Sequence, residues 1–120
     1  MPARIILIVD DDPLAVQTRI AVLERNGYCV LLAPTAEDGL RVFKEQHVDL
    51  VLSDHFLRDK RGTALAGEMK RIKPDVPVVI FSGAAEVPEG IDNADRFITK
   101  LEEIPVLLEE IAMLLKRQRD

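Results

Sequence analysis

Short apolar runs alternate along this chain with longer segments of helical periodicity. Residues 5–9 are uninterruptedly apolar and rich in β-branched side chains, which is typical of a strand covered on both faces of a parallel sheet. Four more runs of this character predict four further strands, at 29–33, 48–52, 76–81 and 96–99. Cys29, at the start of the second run, is expected to be a small apolar core residue.

Helical patterns separate these runs. The first helix is predicted from Pro13 to Asn26, with a core stripe of Val16, Ile20 and Leu23. Three later helices are also predicted. Their core-facing residues are Ala36, Leu40 and Phe43 in the second helix; Leu65, Met69 and Ile72 in the third; and Ile104, Leu107, Leu108, Ile111, Leu114 and Leu115 in the last. Before the last of these helices, the pair Glu102 and Glu103 suits a positive helix terminus.

The interval between Phe81 and Phe97 breaks this rhythm. It contains Pro88 and Gly90, so it has room for one short helical turn at most. Elsewhere, strands alternate with helices, which predicts an α/β fold with a doubly wound parallel sheet. In such sheets ligands bind beyond the carboxyl ends of the strands.

Polar residues follow those strand ends. They are Asp10, Asp11 and Asp12 after the first strand, Asp54 after the third, Ser82 after the fourth and Lys100 after the fifth. Carboxylates gathered at one edge repel one another unless a hard divalent cation neutralises them, and Mg²⁺ is the natural candidate. A carboxylate beside a metal, a hydroxyl and an ammonium group is suited to phosphoryl transfer.

Length and charge narrow the classes of function. A chain of 120 residues predicts a single domain over residues 1–120. The net charge of -5 predicts no direct binding to nucleic acid or to an anionic membrane. No apolar run is long enough for a membrane span, and no signal-peptide pattern opens the chain. We therefore expect a cytoplasmic protein.

Five segments in order carry a family resemblance. They are IILIVDDDP, VDLVLSD, the Gly62 that follows Asp54 by eight residues, PVVIFSG and ADRFITK. Over essentially its whole length the chain resembles the receiver domain of response regulators in bacterial two-component signalling. The resemblance implies a flavodoxin-like sheet of five parallel strands in the order 2-1-3-4-5, here with a shortened or irregular fourth helix.

The resemblance also implies roles for the residues at the strand ends. Asp54 corresponds to the phosphoacceptor. Asp10 and Asp11 correspond to the acidic pair that holds Mg²⁺, with Asp11 the more direct ligand and Asp10 often acting through water. The backbone carbonyl of Phe56 and the carboxylate of Asp54 would complete the protein's share of the metal site.

Ser82 and Lys100 correspond to the groups that contact the phosphoryl, and Phe97 to the aromatic residue whose rotamer reports phosphorylation. Three departures accompany these matches. Arg58 replaces a usual proline, which loosens a loop. Leu101 replaces another, which removes the usual reason for a cis peptide, since a non-proline cis bond costs about 2.5–4 kcal/mol. Phe97 replaces the commoner tyrosine and has no hydroxyl.

The implied partners are a sensor histidine kinase or a histidine phosphotransfer protein as donor, and a downstream protein as target. The implied activity is signalling and not that of an enzyme. Leu14 and Thr18 lie outside the core stripe of the first helix, so they either dock on the donor or pack under neighbouring loops. A shortened fourth helix removes half of the usual dimer surface, which predicts a monomer that responds by reordering residues 83–94. Val106 and Met113 leave an apolar strip on the last helix.

Two other functions stay open. One is a receiver-like scaffold that binds a partner without phosphorylation. The other is an aspartyl-phosphate hydrolase resembling the haloacid dehalogenase group, which would use Asp10 and Asp12 as a D-x-D motif and would need Glu102 and Glu103 as its late acidic pair. Flavin binding is disfavoured because three aspartates occupy the loop where a phosphate would bind.

The remaining polar residues are expected to be structural. Asp12 precedes Pro13 and is expected to cap the first helix. His47 and His55 have no further ligand at a suitable spacing, so they are expected to be loop residues and not zinc ligands. A basic loop is expected to be solvated rather than to form a docking patch: Arg58, Lys60 and Arg61.

Overall fold

A computed structural model describes residues 3–83, 87–100 and 104–117 of the chain. Five parallel strands form one sheet in the order β2-β1-β3-β4-β5, which confirms the predicted topology. The strands are β1 (Ile5–Val9), β2 (Cys29–Ala33), β3 (Leu50–Ser53), β4 (Val78–Ser82) and β5 (Arg96–Thr99). The helices are α1 (Pro13–Arg25), α2 (Ala36–Glu45), α3 (Gly62–Ile72) and α4 (Ile104–Arg117).

The sheet is buried on both faces because its central strands are apolar, apart from the serines that end β3 and β4. In β1, Ile6 and Ile8 face α1 and α4, while Leu7 and Val9 face α2 and α3. All four side chains are fully buried. A continuous apolar run is therefore what this strand needs, as expected for a parallel sheet covered on both sides.

Side-chain caps begin the first two helices. Asp12 accepts hydrogen bonds at 3.2 Å from the backbone N–H groups of Leu14 and Ala15. Thr35 accepts one at 3.0 Å from the backbone N–H of Asp38. The prediction that Asp12 is a helix cap is thus confirmed.

The prediction of a buried position is wrong for two residues. Cys29 is exposed because β2 is an edge strand, so its outer positions have no neighbouring strand or helix to cover them. Ile72 is 41% exposed because it is the last residue of α3, where the packed layers end. The third and fourth strands also begin two residues later than predicted, although Val48 and Val76 ahead of them are buried.

Helix α4 is amphipathic. It buries Leu107 and Ile111 against the sheet and exposes Val106 and Met113 on its outer side, as the apolar strip predicted. The predicted acidic pair ahead of it, Glu102 and Glu103, lies outside the described residues. Within the described ranges, no helix combines the length and the apolar character that crossing a membrane would require.

The connection between the last two strands, residues 83–95, is termed here the β4–β5 segment. Its described part, which omits residues 84–86, contains a single 3-10 turn at Ile91–Asn93. Gly90 precedes this turn with φ +84°, a left-handed conformation that favours glycine. The turn is tied to α3 by a 3.3 Å hydrogen bond from Asn93 Nδ2 to the carbonyl of Thr63. This confirms the prediction, made from Pro88 and Gly90, that the family's usual helix between β4 and β5 is shortened here. That helix is distinct from α4, which follows β5.

Candidate functional site: an acidic pocket at the strand ends

Three carboxylates meet at the carboxyl edge of the sheet. Ligand oxygens of Asp10, Asp11 and Asp54, the acidic pocket, all lie within 4.8 Å of one another. Strand pairing brings them together: the N–H of Asp54 donates to the carbonyl of Val9 at 2.9 Å, and that of Asp10 to the carbonyl of Ala33 at 3.1 Å. An oxygen-only donor set of this charge suits a hard divalent cation such as Mg²⁺.

Lys100 places an ammonium group against this pocket. Its Nζ lies 3.5 Å from Asp54 Oδ2 and 3.7 Å from Asp10 Oδ2. Its backbone N–H donates to the carbonyl of Ser82 at 2.7 Å, which holds the ends of β4 and β5 together. Ser82 is completely buried. The structure thus brings together the acids, the hydroxyl-bearing strand end and the ammonium group.

The chain folds back directly behind Asp54. The N–H of Phe56 lies 3.4 Å from Asp54 Oδ1, and Phe56 pairs with Arg61 in an isolated antiparallel bridge. A Cβ on Gly62 would lie 2.4 Å from the backbone oxygen of Asp54 and 2.9 Å from the Cα of His55. Only glycine fits this close backbone approach, which gives the Asp54-to-Gly62 spacing its physical reason.

The loop between β3 and α3, residues 54–61, is anchored by its own side chains. Arg58 Nε lies 3.7 Å from Asp11 Oδ2. Asp59 accepts hydrogen bonds at 3.0 Å from the backbone N–H groups of Ala36 and Glu37, at the start of α2. Arg58 thus supplies a contact that the family's usual proline cannot make. Asp59 therefore ties the loop to α2 despite the absent proline, whereas the contact of the exposed Arg58 is screened by solvent.

The pKa of Asp59 reflects this anchoring. Burial is the largest single influence and raises it, but the backbone hydrogen bonds, chiefly from Ala36 and Glu37, and the nearby Lys60 together outweigh burial, so the pKa lies below its ordinary value. The other two basic loop residues are also paired: Lys60 with Glu68, and Arg61 over the ring of Phe56. Arg58 and Arg61 are nevertheless exposed, as expected for a solvated loop, and these contacts lie at the surface.

The two histidines differ. His47 is exposed and contacts Asp49 Oδ1 at 2.8 Å. His55 is 8% exposed, and its Nδ1 has no hydrogen-bond partner. Burial, with Arg61, lowers the pKa of His55, and Asp54 opposes this only in part, so the imidazole is neutral at pH 7. Among the described residues, the acidic pocket is the only group of three or more candidate ligands, and neither histidine belongs to it.

Phe97 lies on the other side of β5 from Ile98. It is half-buried and packs against the core formed with α2 and α3, whereas Ile98 packs on the side of α1 and α4. Its neighbour across the sheet is Ile80. The described residues contain no cis peptide bond, and Leu101, where the family's usual proline is replaced, lies outside them.

Sequence reasoning missed one charged group at the pocket. Arg19 is 6% exposed, and its Nη2 donates to Asp10 Oδ2 at 3.1 Å. The sequence signal was available, because Arg19 follows Val16 by three residues and precedes Leu23 by four, which places it on the core face of α1. Arginine side chains are usually exposed to solvent, whereas this one is buried.

The outer residues of α1 resolve an alternative left open by the sequence. Leu14 is 77% exposed and Thr18 is exposed as well. Packing under neighbouring loops is therefore excluded for these two side chains. Leu14 is an apolar group in solvent at the end of α1 that borders the acidic pocket.

Comparison with known families yields one clear similarity. A family model described as "Response regulator receiver domain" matches residues 6–112. Among curated proteins, the transcriptional regulatory protein GlrR of Escherichia coli is 32% identical over 99 residues, covering 79% of this chain and 22% of the relative. The transcriptional regulatory protein ZraR of Escherichia coli is 34% identical over 87 residues, covering 72% and 20%. The chain thus spans about a fifth of the length of these relatives.

Solved structures agree. A CheY-like receiver domain protein from Methanospirillum hungatei superposes with a TM-score of 0.90 at 32% identity, covering 98% of this chain and 97% of that one. The response regulator TrrA from Thermotoga maritima, solved in complex with Mg²⁺ and BeF, gives a TM-score of 0.87 at 26% identity, covering 92% and 98%.

Proposed function

Because this chain belongs to the family of response regulator receiver domains, we propose that Asp54 accepts a phosphoryl group from a phosphohistidine of a sensor kinase or a phosphotransfer protein. Receiver domains are signalling domains, and we assign this chain the same class of role. The observation that carries the proposal is the position of Lys100 Nζ, 3.5 Å from Asp54 Oδ2, at the edge of a three-carboxylate pocket.

The proposed reaction is one displacement at phosphorus. A carboxylate oxygen of Asp54 forms a bond to the phosphorus atom while the bond between phosphorus and the donor imidazole nitrogen breaks, and that nitrogen keeps the electron pair. Lys100 neutralises charge on the phosphoryl oxygens. The hydroxyl of Ser82, at the buried end of β4, donates a hydrogen bond to one of these phosphoryl oxygens.

Asp11, Asp54 and the backbone carbonyl of Phe56 would hold Mg²⁺ in this pocket. Bound there, the ion would neutralise and orient the phosphoryl oxygens. Asp10 would contribute through water, because its Oδ1 already accepts the N–H of Asp12 at 2.9 Å and its Oδ2 the guanidinium of Arg19. A solved relative contains Mg²⁺ and BeF, which supports this assignment by similarity.

We assign donor docking to the amino end of α1. Leu14 is 77% exposed and borders the acidic pocket, where a histidine-bearing helix must approach Asp54. An apolar side chain at this place suits the apolar surface of a helical donor.

The proposed output is local. Phosphorylation would reorder residues 83–94, which include the 3-10 turn at Ile91–Asn93. The exposed Asp92 and Glu89 place charge on this surface, and among its described large apolar side chains only Val87 is mostly exposed, so the chain acts mainly as a monomer on a downstream protein. Light scattering with and without beryllofluoride tests this, and stable dimers on activation would contradict it.

Two alternatives make different predictions. A hydrolase of the haloacid dehalogenase type would need Asp12 in the pocket, but that carboxylate is exposed and caps α1. It would also sustain turnover of a generic phosphate ester, which we expect to be absent here. A scaffold that works without phosphorylation would accept no phosphoryl group at all.

Intact-mass analysis after incubation with acetyl phosphate and Mg²⁺ tests the proposal. We expect one added phosphoryl group in the wild-type chain and none in Asp54→Asn. Asp12→Asn is the matched control, since it removes a neighbouring carboxylate outside the pocket and asparagine still caps a helix. Labelling that persists in Asp54→Asn, or its absence in the wild type, would overturn the proposal.

A further inference from the structure

The guanidinium of Arg19 is a permanent charge inside the protein. Arginine stays protonated at any physiological pH, and burying its charge is costly unless it is paired. Arg19 lies on α1 among the core residues Val16 and Leu23, with 7% of its side chain exposed. The groups that Arg19 contacts therefore show which negative charge it neutralises.

Those contacts hold the guanidinium in one place. Nη2 donates to Asp10 Oδ2 at 3.1 Å, and Cζ lies 4.8 Å from the ring centroid of Phe81. A cation over an aromatic face is attracted to it. Because α1, β1 and β4 all contribute to this arrangement, Arg19 cannot swing away when a ligand enters the pocket.

Arg58 provides the contrast. Its Nε lies 3.7 Å from Asp11 Oδ2, but 80% of its side chain is exposed. Solvent screens such a pair, and the side chain can leave it at little cost. Of the two arginines at the pocket, one is fixed and the other is free to move.

The charges at the pocket already balance. Asp10, Asp11 and Asp54 carry three negative charges, and each has a cationic nitrogen within 3.7 Å, supplied by Arg19, Arg58 and Lys100. A divalent cation entering the pocket is therefore repelled by Arg19 at close range. Lys100 can turn to the phosphoryl group and Arg58 can turn to solvent, whereas Arg19 remains.

We propose that Arg19 is a positioning residue that acts through Asp10: it serves as a built-in counter-ion, occupies Asp10 Oδ2, and weakens the binding of Mg²⁺ to the acidic pocket. This inference rests on the metal site in the proposed function. By occupying Asp10, Arg19 leaves Asp11 and Asp54 as the dominant metal ligands. The pocket also stays neutralised when no metal is bound.

Calorimetric titration with Mg²⁺, without any phosphoryl donor, tests the inference. Arg19→Met keeps the unbranched stem of the side chain and removes its charge, so we expect Mg²⁺ to bind on the order of tenfold more tightly than to the wild type. Arg19→Lys should retain wild-type affinity. Arg41→Met is the control, because it removes an exposed pair with Asp38 on α2, and its affinity should not change.

The unfolding temperature is a second readout, and it separates a positioning role of Arg19 from a packing role. Without Mg²⁺, Arg19→Met should unfold at a lower temperature than the wild type, and Mg²⁺ should raise its unfolding temperature by more. If Arg19→Met does not fold, Arg19→Gln removes the charge while keeping a donor for Asp10. In an Asp10→Asn background, the gain in affinity should disappear.

Equal or weaker Mg²⁺ binding by both uncharged variants would overturn the inference and leave the phosphoacceptor role intact. Absence of Mg²⁺ binding in the wild type and in every variant would overturn it together with the proposed metal site. A tenfold gain that persists in the Asp10→Asn background would also contradict it, because Arg19 would then act without Asp10.

Discussion

The acidic pocket and the β4–β5 segment share a border at Ser82 and Lys100, yet they are built in opposite ways. Strand ends position the pocket, and Asp10, Asp11 and Asp54 each have a cation within 3.7 Å. The described part of the segment has one 3-10 turn, and most of its residues are exposed. Two described side-chain contacts tie it to α3: Asn93 Nδ2 donates to the carbonyl of Thr63, and Lys70 Nζ donates to Asp95 Oδ2 at 2.9 Å.

This difference separates two kinds of constraint. Phosphoryl transfer requires groups held at hydrogen-bond distances, so few backbone changes are tolerated where β1, β3 and β5 end. The segment has to cover the edge of α3 and present a surface. It can therefore lose a regular helix while the pocket stays intact.

The strongest test of this comparison uses two glycines. Gly62→Ala should destabilise the fold by about 3 kcal/mol and slow labelling of Asp54, because its Cβ would lie 2.4 Å from the Asp54 backbone oxygen. Gly83 begins the β4–β5 segment, and a Cβ there would meet no described residue within 4 Å, so Gly83→Ala should change stability by about 0.5 kcal/mol or less. Urea unfolding and acetyl phosphate labelling measure both. Equal losses in the two variants would show that the regions are constrained alike.

The next test concerns the outer rim of the pocket. Leu14→Glu should slow transfer from a phosphohistidine protein by about tenfold, since it places a charge in an apolar contact, while labelling by acetyl phosphate stays unchanged. Met113→Glu is the matched control, because Met113 is also exposed and apolar but lies in the second half of α4. Stopped-flow transfer assays measure the rates. Loss with both donors would mean that the pocket itself had been damaged.

A smaller and more local effect is expected within the segment. Gly90→Ala forces alanine into φ +84° and brings its Cβ to 3.2 Å from Thr63 Oγ1, so it should cost about 1 kcal/mol. Hydrogen exchange should accelerate at residues 91–94 and remain unchanged in β1 and β3. Phosphorylation by acetyl phosphate should continue at the wild-type rate. Slower labelling would show that the segment shapes the pocket before activation.

The same contrast explains what the sequence could predict. Apolar runs and strand-end polar residues are local patterns, so the parallel sheet and the meeting of Asp10, Asp54 and Lys100 at one edge followed from them. The order of the strands came from the family resemblance. The helical spacing of Arg19 shows that it lies on the core face of α1, but its partner Asp10 depends on packing between elements. The contact of Asp59 with α2 likewise depends on such packing, and no local pattern encodes either partner. Cys29 was misplaced for a related reason, since an apolar run does not reveal which strand lies at the edge of the sheet.

Asp59 offers the finest test, since it joins the loop beside the pocket to α2. Its pKa in the folded chain lies below the ordinary 3.8, so its charge stabilises the fold above that value, and the contribution is lost as the pH falls through the folded pKa. Asp59→Asn keeps the shape and removes the charge. Because Asp59 is exposed, solvent screens its charge, so we expect the wild type to be only slightly more stable than Asp59→Asn from pH 7 to pH 5, with the difference shrinking below pH 4. Urea unfolding of both chains at each pH measures it, and effects common to the two chains cancel in the difference. A gap that widens as the pH falls would contradict the role of the charge and would leave only the shape of the side chain to hold the loop to α2.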